Sequence, residues 1–197
     1  MDSIVQILVS QLGAGAVSEI SKKMGVDDEK AQQAVGMALP IIIGALNRNS
    51  SSSSGAEALT HALQKDHDGS ILNNLSGAVA SQATMDNGAA ILGHVLGDQR
   101  GALENNVSRA TGLSSQEVGQ IFTVLAPIVM GALGQVQRKQ GLDSQGVANL
   151  LQQERSTVEN TSSGLVQLLD MDGDGDVSEE IISLGSSLLG GLLGGGK

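Results

Sequence analysis

Apolar and polar positions recur along the chain with helical spacing, and one apolar pattern occurs twice. The segment from Ala38 to Leu46 (ALPIIIGAL) returns from Leu125 to Leu133 (LAPIVMGAL), 87 positions later. The match extends back to Ile20 and Val107 without a gap, and 8 of the 27 aligned positions are identical. Unrelated stretches of ordinary composition would share roughly two. The chain therefore looks duplicated.

Each copy predicts a long helix with a wide apolar face. Apolar residues stand at helical spacing, at positions 31, 34, 35, 38, 41, 42 and 45 and at 118, 121, 122, 125, 128, 129 and 132. Ile43 and Met130 widen this face until almost no polar face remains, which is typical of a helix buried on most sides. Because proline lacks a backbone donor and clashes with the preceding turn, we expect a kink or a new helix at Pro40 and Pro127.

Capping and turn residues predict where these helices begin and end. Gly25 stands where a left-handed residue ends a helix, and Asp27 and Asp28 favour the start of the next one. In the second copy, Ser114 and Glu117 form an S-x-x-E capping box.

The rest of the chain predicts shorter elements. A first helix has apolar positions 4, 5, 8, 9 and 12, and the serine-rich stretch 47–55 predicts a polar loop, since nothing in it buries apolar area. Further helices are expected at 56–65, 70–80, 88–96 and 145–154, and no stretch alternates as a strand would.

These elements predict an all-α fold, with duplicated helical lobes around a buried proline-containing helix, followed by a C-terminal EF-hand-like loop and helix. The predicted domains are a first helical repeat (1–80), a second helical repeat (81–160) and a calcium loop with a Gly/Leu-rich tail (161–197). An 87-residue displacement suits two small lobes that share a core.

Composition and charge narrow the function. The chain is 40% hydrophobic, which suffices for a core, but it has one Phe and no Trp, Tyr or Cys. It therefore lacks base-stacking platforms, aromatic interface anchors and thiolate chemistry. A formal charge of −10 opposes binding to nucleic acid or to anionic membranes. The chain starts Met-Asp-Ser-Ile, and no uninterrupted apolar run approaches a membrane span, so a cytoplasmic location is expected.

Residues 170–181 (DMDGDGDVSEEI) match the start of an EF-hand loop, with acids at positions 1, 3 and 5, glycine at 6 and an apolar residue at 8. A hard dication needs about seven oxygens, which a tightly turning loop supplies. Ile181 stands where the bidentate Glu is expected, so the loop looks like the shortened EF-hand-like loops of bacterial proteins. The predicted Ca²⁺ ligands are Asp170, Asp172, Asp174, Asp176, Glu179 and Glu180. The alternative is an acidic turn without metal.

Other candidate residues carry weaker signals. Asp66-His67-Asp68-Gly69 lacks a third acid at EF-hand spacing and is better interpreted as a capping turn. His61 and His94 have no H-E-x-x-H partner, and His94 lies among apolar residues, which favours a core or helix-contact histidine. No G-x-S-x-G, G-x-G-x-x-G or G-K-S/T motif occurs. The sequence therefore predicts no catalytic site.

The last 17 residues, 181–197, combine leucines at helical spacing with glycines that let another backbone approach. The leucines are Leu184, Leu188, Leu189, Leu192 and Leu193. This tail either packs on its own lobe or forms a helix that binds a partner or touches a membrane.

Several of these segments together resemble the bacterial YidB-like family (domain of unknown function 937). The likeness is carried by N-G-x-x-I-L-G-H-x-L-G at 87–97, the Gly112-Leu113-Ser114 turn, the 125–133 segment, and the D-x-D-G-D-G-D loop followed by L-L-G-G-L-L-G-G. It spans nearly the whole chain and implies an all-helical fold, with no activity attached.

The expected function is that of a non-enzymatic helical protein whose calcium-stabilised C-terminal element binds a protein partner or a second copy. One alternative is a self-assembling structural subunit that uses the Gly/Leu tail. Another is a hydrolase-type enzyme with a dispersed site, which a deep polar pocket holding His94 or His61 beside a carboxylate would favour.

Overall fold

A computed structural model describes Ile4, Ile7, Leu8 and residues 14–161. Residues Met1–Arg155 form one compact unit and Ser156–Lys197 a second. The described residues contain eight α-helices, two short 3-10 helices and no strand, which confirms the all-α class. The α-helices are α1 (Ala14–Met24), α2 (Asp28–Asn49), α3 (Ser53–Asp66), α4 (Leu75–Ala80), α5 (Gln82–Val95), α6 (Arg100–Thr111), α7 (Ser115–Gln140) and α8 (Ser144–Thr161), and the 3-10 helices are Ser70–Asn74 and Gly97–Gln99.

Helix α7 is the centre of the first unit. It contacts α1, α2, α3, α5, α6 and the 3-10 helix Ser70–Asn74, and every residue from Ile121 to Gly134 is buried. By length and composition alone this helix could cross a membrane, but 89% of its most apolar window is buried inside the fold. It is therefore consistent with the core helix of a soluble protein.

The two copies of the repeated pattern have the same local structure, displaced by 87 positions. Helices α1 and α6 both end one residue before a left-handed glycine, and Gly25 and Gly112 share a φ of 68°. Helices α2 and α7 then begin at equivalent residues. A single helix passes through each of Pro40 and Pro127, so the alternative that a new helix begins at the proline is wrong.

The predicted caps of α2 and α7 are confirmed. The Asp27 carboxylate accepts hydrogen bonds from the backbone N–H of Glu29 (3.0 Å) and Lys30 (3.2 Å). At α7, the Glu117 N–H donates to Ser114 Oγ (3.2 Å), and the Ser114 N–H donates to Glu117 Oε2 (2.7 Å). The backbone and side-chain hydrogen bonds from Ser114 lower the pKa of Glu117 below its ordinary value. Different residues thus produce the same helix start.

The serine-rich stretch is not the nine-residue loop that the sequence predicts. Helix α2 continues to Asn49 and α3 starts at Ser53. Ser52 caps α3 by accepting from the Gly55 N–H at 3.1 Å, and Ser50 is buried and donates to the Asn47 carbonyl at 3.1 Å. Serine hydroxyls hydrogen-bond to nearby backbone groups at helix ends, so a serine run can serve as a helix boundary.

Helix α5 is longer than the predicted 88–96 segment. Ser81 caps it by accepting from the Thr84 N–H (3.4 Å), and the helix passes through both Gly88 and Gly93. Glycine lowers helix stability by roughly 1 kcal/mol per residue, so packing must offset two such residues.

The N-terminal residues that the structure describes are helical, and Ile4 and Leu8 are fully buried. The Ile4 N–H donates to Oε1 of Glu154 on α8 at 2.8 Å, and Glu154 is only 3% exposed. A buried carboxylate from the other end of the unit therefore satisfies a backbone donor of this segment. The predicted apolar positions 5, 9 and 12 lie outside the described residues.

Candidate functional site

A cleft of about 210 Å³ lies between α5, α7 and the segment that links α3 to the first 3-10 helix. Its walls include Asp66, His67, Asp68, Ser70, Thr84, Asn87 and Pro127. The lining is mostly polar. It brings the Asp66-His67-Asp68-Gly69 run, which the sequence predicts as a turn, next to Pro127 of α7.

Glycines allow the linking segment to lie directly on α7. Gly69 has a φ of 90°, which favours glycine, and a Cβ atom placed on it would stand 3.2 Å from the Gly131 carbonyl oxygen. On α7, a methyl group at Gly134 would overlap the carbonyl oxygen of His67, and one at Gly131 would overlap the side chain of Ile71. The cleft wall therefore depends on backbone contacts that larger residues would prevent.

His67 is the buried histidine of the cleft, at 9% exposure. Burial lowers the pKa of His67 below its ordinary value of about 6.5, and the charge of Asp66 offsets this only in part. The imidazole is therefore neutral at pH 7. No sequence motif predicts the burial of His67, because an exposed turn could contain the same D-H-D-G run.

Asp68 confirms the interpretation of this run as a turn. Its carboxylate accepts from the Ser70 N–H at 2.8 Å, and Arg138 lies 3.9 Å away. The Ser70 hydroxyl and N–H hold the pKa of Asp68 below its ordinary value. Within the described part of the chain, no group of three or more His, Asp or Glu side chains is placed to hold a metal ion.

The other two histidines lie on the surface. His61 and His94 are both exposed, so the expectation of a core role for His94 is wrong. Its apolar neighbours Ile91 and Val95 are only half-buried, because α5 turns one side to α7 and the other to solvent. The described cleft thus contains a histidine, but neither of the two that the sequence singled out.

Pro127 leaves a backbone acceptor without its usual helical donor, and α5 covers that acceptor. Since proline has no N–H, the carbonyl of Thr123 lacks its intrahelical bond. Gly88 of α5 lies directly against this carbonyl oxygen, and a methyl group there would overlap it. Such contacts allow a weak Cα–H···O hydrogen bond. The glycine in α5 is therefore matched to the proline in α7.

Around α7, we define the Pro127 face as the side of the helix toward α5 and the linking segment. It consists of Gln120, Thr123, Val124, Pro127, Gly131 and Gly134, and all but Gln120 are buried. On α2, the equivalent residues form the Pro40 face. They are Gln33, Gly36, Met37, Pro40, Gly44 and Asn47, and each is half-exposed or exposed.

The Pro40 face shares its glutamine, its proline and one glycine with the Pro127 face, but the described residues leave it half-exposed or exposed. Pro40 deprives the Gly36 carbonyl of its intrahelical donor, as Pro127 does for Thr123. Among the described residues, no atom outside the helix's own nearby backbone lies within 4 Å of a methyl group placed on Gly36 or Gly44. Every buried residue of α2, by contrast, has a buried counterpart in α7.

The predicted Ca²⁺ ligands Asp170, Asp172, Asp174, Asp176, Glu179 and Glu180 lie outside the described residues, as does the Gly/Leu tail. The calcium site and the tail therefore stay predictions.

Comparison with known proteins identifies a family but no function. A family model described as bacterial protein of unknown function (DUF937) matches residues 6–137, which contain α2, most of α7 with Pro127, and the residues of the cleft. No curated protein and no solved structure matches the chain.

Proposed function

We propose that this chain, which belongs to the family of bacterial proteins of unknown function (DUF937), is a non-enzymatic interaction module with a calcium-binding element at its C-terminus. The observation that carries the interaction role is the Pro40 face, whose centre no described element covers although its counterpart on α7 is buried. The calcium role rests on the D-x-D-G-D-G-D sequence of residues 170–176.

The internal repeat is part of this proposal. We infer that the two copies are duplicated halves that each build an α-helix, a left-handed glycine, a cap and a long proline-containing helix. The shared φ of Gly25 and Gly112 and the equivalent starts of α2 and α7 support it. We also place the chain with the YidB-like members of the family, on its N-G-x-x-I-L-G-H-x-L-G segment.

The described cleft supports binding more than catalysis. Nucleophilic catalysis needs a nucleophile and a base within hydrogen-bonding distance. No hydrogen bond joins His67 to a hydroxyl or a carboxylate among the described side chains, and Asp68 is instead bonded to Ser70. The rival function, an enzyme with a dispersed site, would require a partner for His67 from elsewhere.

The calcium element is tested by thermal unfolding. Without metal, the carboxylates of Asp170, Asp172 and Asp174 repel one another, and Ca²⁺ would raise stability by mass action. We expect a higher midpoint in millimolar Ca²⁺ than in chelator, and we expect Asp174→Ala to abolish the difference. Asp98→Ala, an exposed acid in the first unit, is the matched charge control and should keep the difference. Equal midpoints in calcium and chelator for the unchanged chain would refute the site.

A second candidate role, a self-assembling subunit that uses the Gly/Leu tail, is favoured by the five leucines of residues 184–193. Burying several hundred Å² of apolar surface at roughly 25 cal/mol per Å² would be a large contribution. If this role is correct, deleting residues 185–197 should reduce self-association in light scattering, and chelation should mimic the deletion in part. Association that is unchanged by either treatment would assign it to another surface.

A further inference from the structure

We propose that two copies of this chain associate through their Pro40 faces, with the two α2 helices antiparallel about a twofold axis at Pro40. This inference names the partner of the interaction module proposed above, and it does not depend on the calcium loop. It rests on three observations: an internal precedent, the self-complementarity of the face, and the distribution of charge along α2.

The precedent is the packing of α5 on the Pro127 face. Gly88 lies on the Thr123 carbonyl, and Thr84, which precedes Gly88 by one turn, lies with Pro127 in the cleft wall. Moving back along α5 from Gly88 to Thr84 therefore corresponds to moving forward along α7 from Thr123 to Pro127. The two helices are thus antiparallel. A face of this kind therefore accepts an antiparallel helix that brings a glycine to the carbonyl released by proline.

The Pro40 face carries both halves of such a contact. Gly36 has the released carbonyl, and Gly44 stands two turns along the same side of α2 with open space above it. If two α2 helices cross antiparallel at Pro40, Gly44 of each copy lies opposite Gly36 of the other. The contact seen between Gly88 and Thr123 is then made twice, as twofold symmetry requires.

The polar ends of the face are complementary in the same arrangement. Gln33 of one copy lies opposite Asn47 of the other, and two side-chain amides can exchange hydrogen bonds. The exposed acids Asp28 and Glu29 at the start of α2 approach the end of the other α2, which carries Arg48 and the negative end of the helix dipole. Antiparallel helices also oppose their dipoles favourably. Asp28 and Glu29 face the negative end of the other helix, which repels them, so their attraction to Arg48 offsets that repulsion and is not a separate gain. Arg48 also donates to Gln99 Oε1 of its own chain at 3.4 Å.

The absence of aromatic anchors favours this occupant over a partner with large side chains. The chain has one Phe, which is fully buried, and no Trp or Tyr. Interfaces without such anchors gain their energy from close backbone approach and packing. A single helix pair buries less area than a standard protein interface, so we expect a dimer with a Kd in the range of about 10 µM to 1 mM.

Sedimentation equilibrium of the full chain tests the association, with matched glycine variants. We expect the unchanged chain to dimerise with rising concentration and Gly44→Leu to weaken the dimer at least tenfold, because leucine blocks the approach. Gly93→Leu, at an exposed helical glycine of α5 that also has open space, should dimerise like the unchanged chain. Circular dichroism and thermal midpoints establish that both variants fold.

Cysteine pairing tests the register, because the chain has no cysteine of its own. Oxidation of a mixture of Gly36→Cys and Gly44→Cys chains should give disulfide-linked dimers that contain one of each. Gly44→Cys alone should not crosslink, since the two copies of position 44 lie roughly 12 Å apart along the helix axes.

Two results would overturn the proposal. One is a chain without detectable dimer at about 1 mM, the weak end of the expected Kd range, where a substantial fraction of the chains should be paired. The other is equal weakening by Gly44→Leu and Gly93→Leu. Each measurement is made in chelator and in calcium, which separates this proposal from the calcium site. A dimer of equal strength in both conditions supports the Pro40 contact. The same result counts against an association that calcium controls.

Discussion

The Pro127 face and the Pro40 face show how the same local sequence can have two environments in one molecule. Both belong to long helices that follow a left-handed glycine and a polar cap, and both contain a proline that releases a carbonyl. Helix α5 and the segment around His67 cover one face, and no element of the described structure covers the centre of the other. Local structure therefore follows the repeated pattern, whereas burial follows the order of the intervening elements.

At two positions of the repeated pattern, the covered helix α7 has glycine and α2 has a larger polar residue. Gly119 and Gly134 on α7 correspond to Gln32 and Asn47 on α2. Gly134 receives the His67 carbonyl, which a larger side chain would exclude, while Asn47 is half-exposed and Gln32 is exposed. Helix α2 thus has polar side chains at two positions where α7 has glycine.

The largest contrast is expected from one substitution made at equivalent positions. Ile128 is fully buried and Ile41 is only half-buried. Ile128→Ala should lower the free energy of unfolding by about 4 kcal/mol, since it removes buried methyl groups and leaves a cavity. Ile41→Ala should lower it by about 1 kcal/mol. Urea unfolding of dilute protein measures both, and equal losses would show that positions 41 and 128, beside the two faces, are buried alike.

The proline–glycine contact is expected to be nearly as sensitive. Gly88→Ala should lower the free energy of unfolding by about 3 kcal/mol, because its methyl group would overlap a backbone carbonyl that cannot rotate away. Gly93→Ala, in the same helix but with open space around it, should raise it by up to about 1 kcal/mol. A neutral Gly88→Ala would mean that α5 does not approach Thr123 closely.

The caps should respond equally in the two copies. Asp27→Ala and Ser114→Ala each remove the side-chain acceptor of a helix start and should each cost about 1 kcal/mol of stability. Thermal unfolding of the two variants measures the pair. A cost at one copy several times that at the other would place the difference between the halves in local structure and not in coverage.

The smallest expected effect is a pH dependence that belongs to the covered face. Because the pKa of His67 is lowered in the folded state, the unfolded chain binds a proton more readily below its ordinary pKa of about 6.5. Stability should therefore fall as the pH drops from about 6.5 toward the lowered folded pKa. Carboxylates such as Glu117, whose pKa is lowered in the folded state, make stability depend on pH only near the ordinary carboxylate pKa of about 4.

The pH test compares two histidines. Unfolding is measured between pH 8 and pH 5.5, a range that includes the upper end of the His67 window, at its ordinary pKa of about 6.5. His67→Gln should flatten the profile in this range, and His94→Gln, at an exposed position, should leave it unchanged. An identical profile for His67→Gln would remove His67 as the source of the dependence.

The sequence by itself determined the two long helices and the helix ends that caps or glycine stops mark. Periodicity identified α2 and α7, Gly25 and Gly112 identified the left-handed stops, and Ser114 with Glu117 identified a capping box. These features involve residues within about one turn of each other, so the chemistry that produces them is contained in the local sequence. The serine-rich stretch misled for the same reason, because a serine that caps a helix and a serine in an open loop are locally alike.

Only the tertiary structure decided which proline-bearing helix lies at the centre. The apolar pattern of α2 and α7 is nearly the same, and their difference in burial comes from α5 and the His67 segment, which lie between them in sequence and pack on α7. The cleft likewise unites residues 66–71 with Thr84, Asn87 and Pro127, which no spacing rule connects. Burial and pocket formation depend on which distant elements share space, and a periodic pattern records that a face is apolar without recording what will cover it.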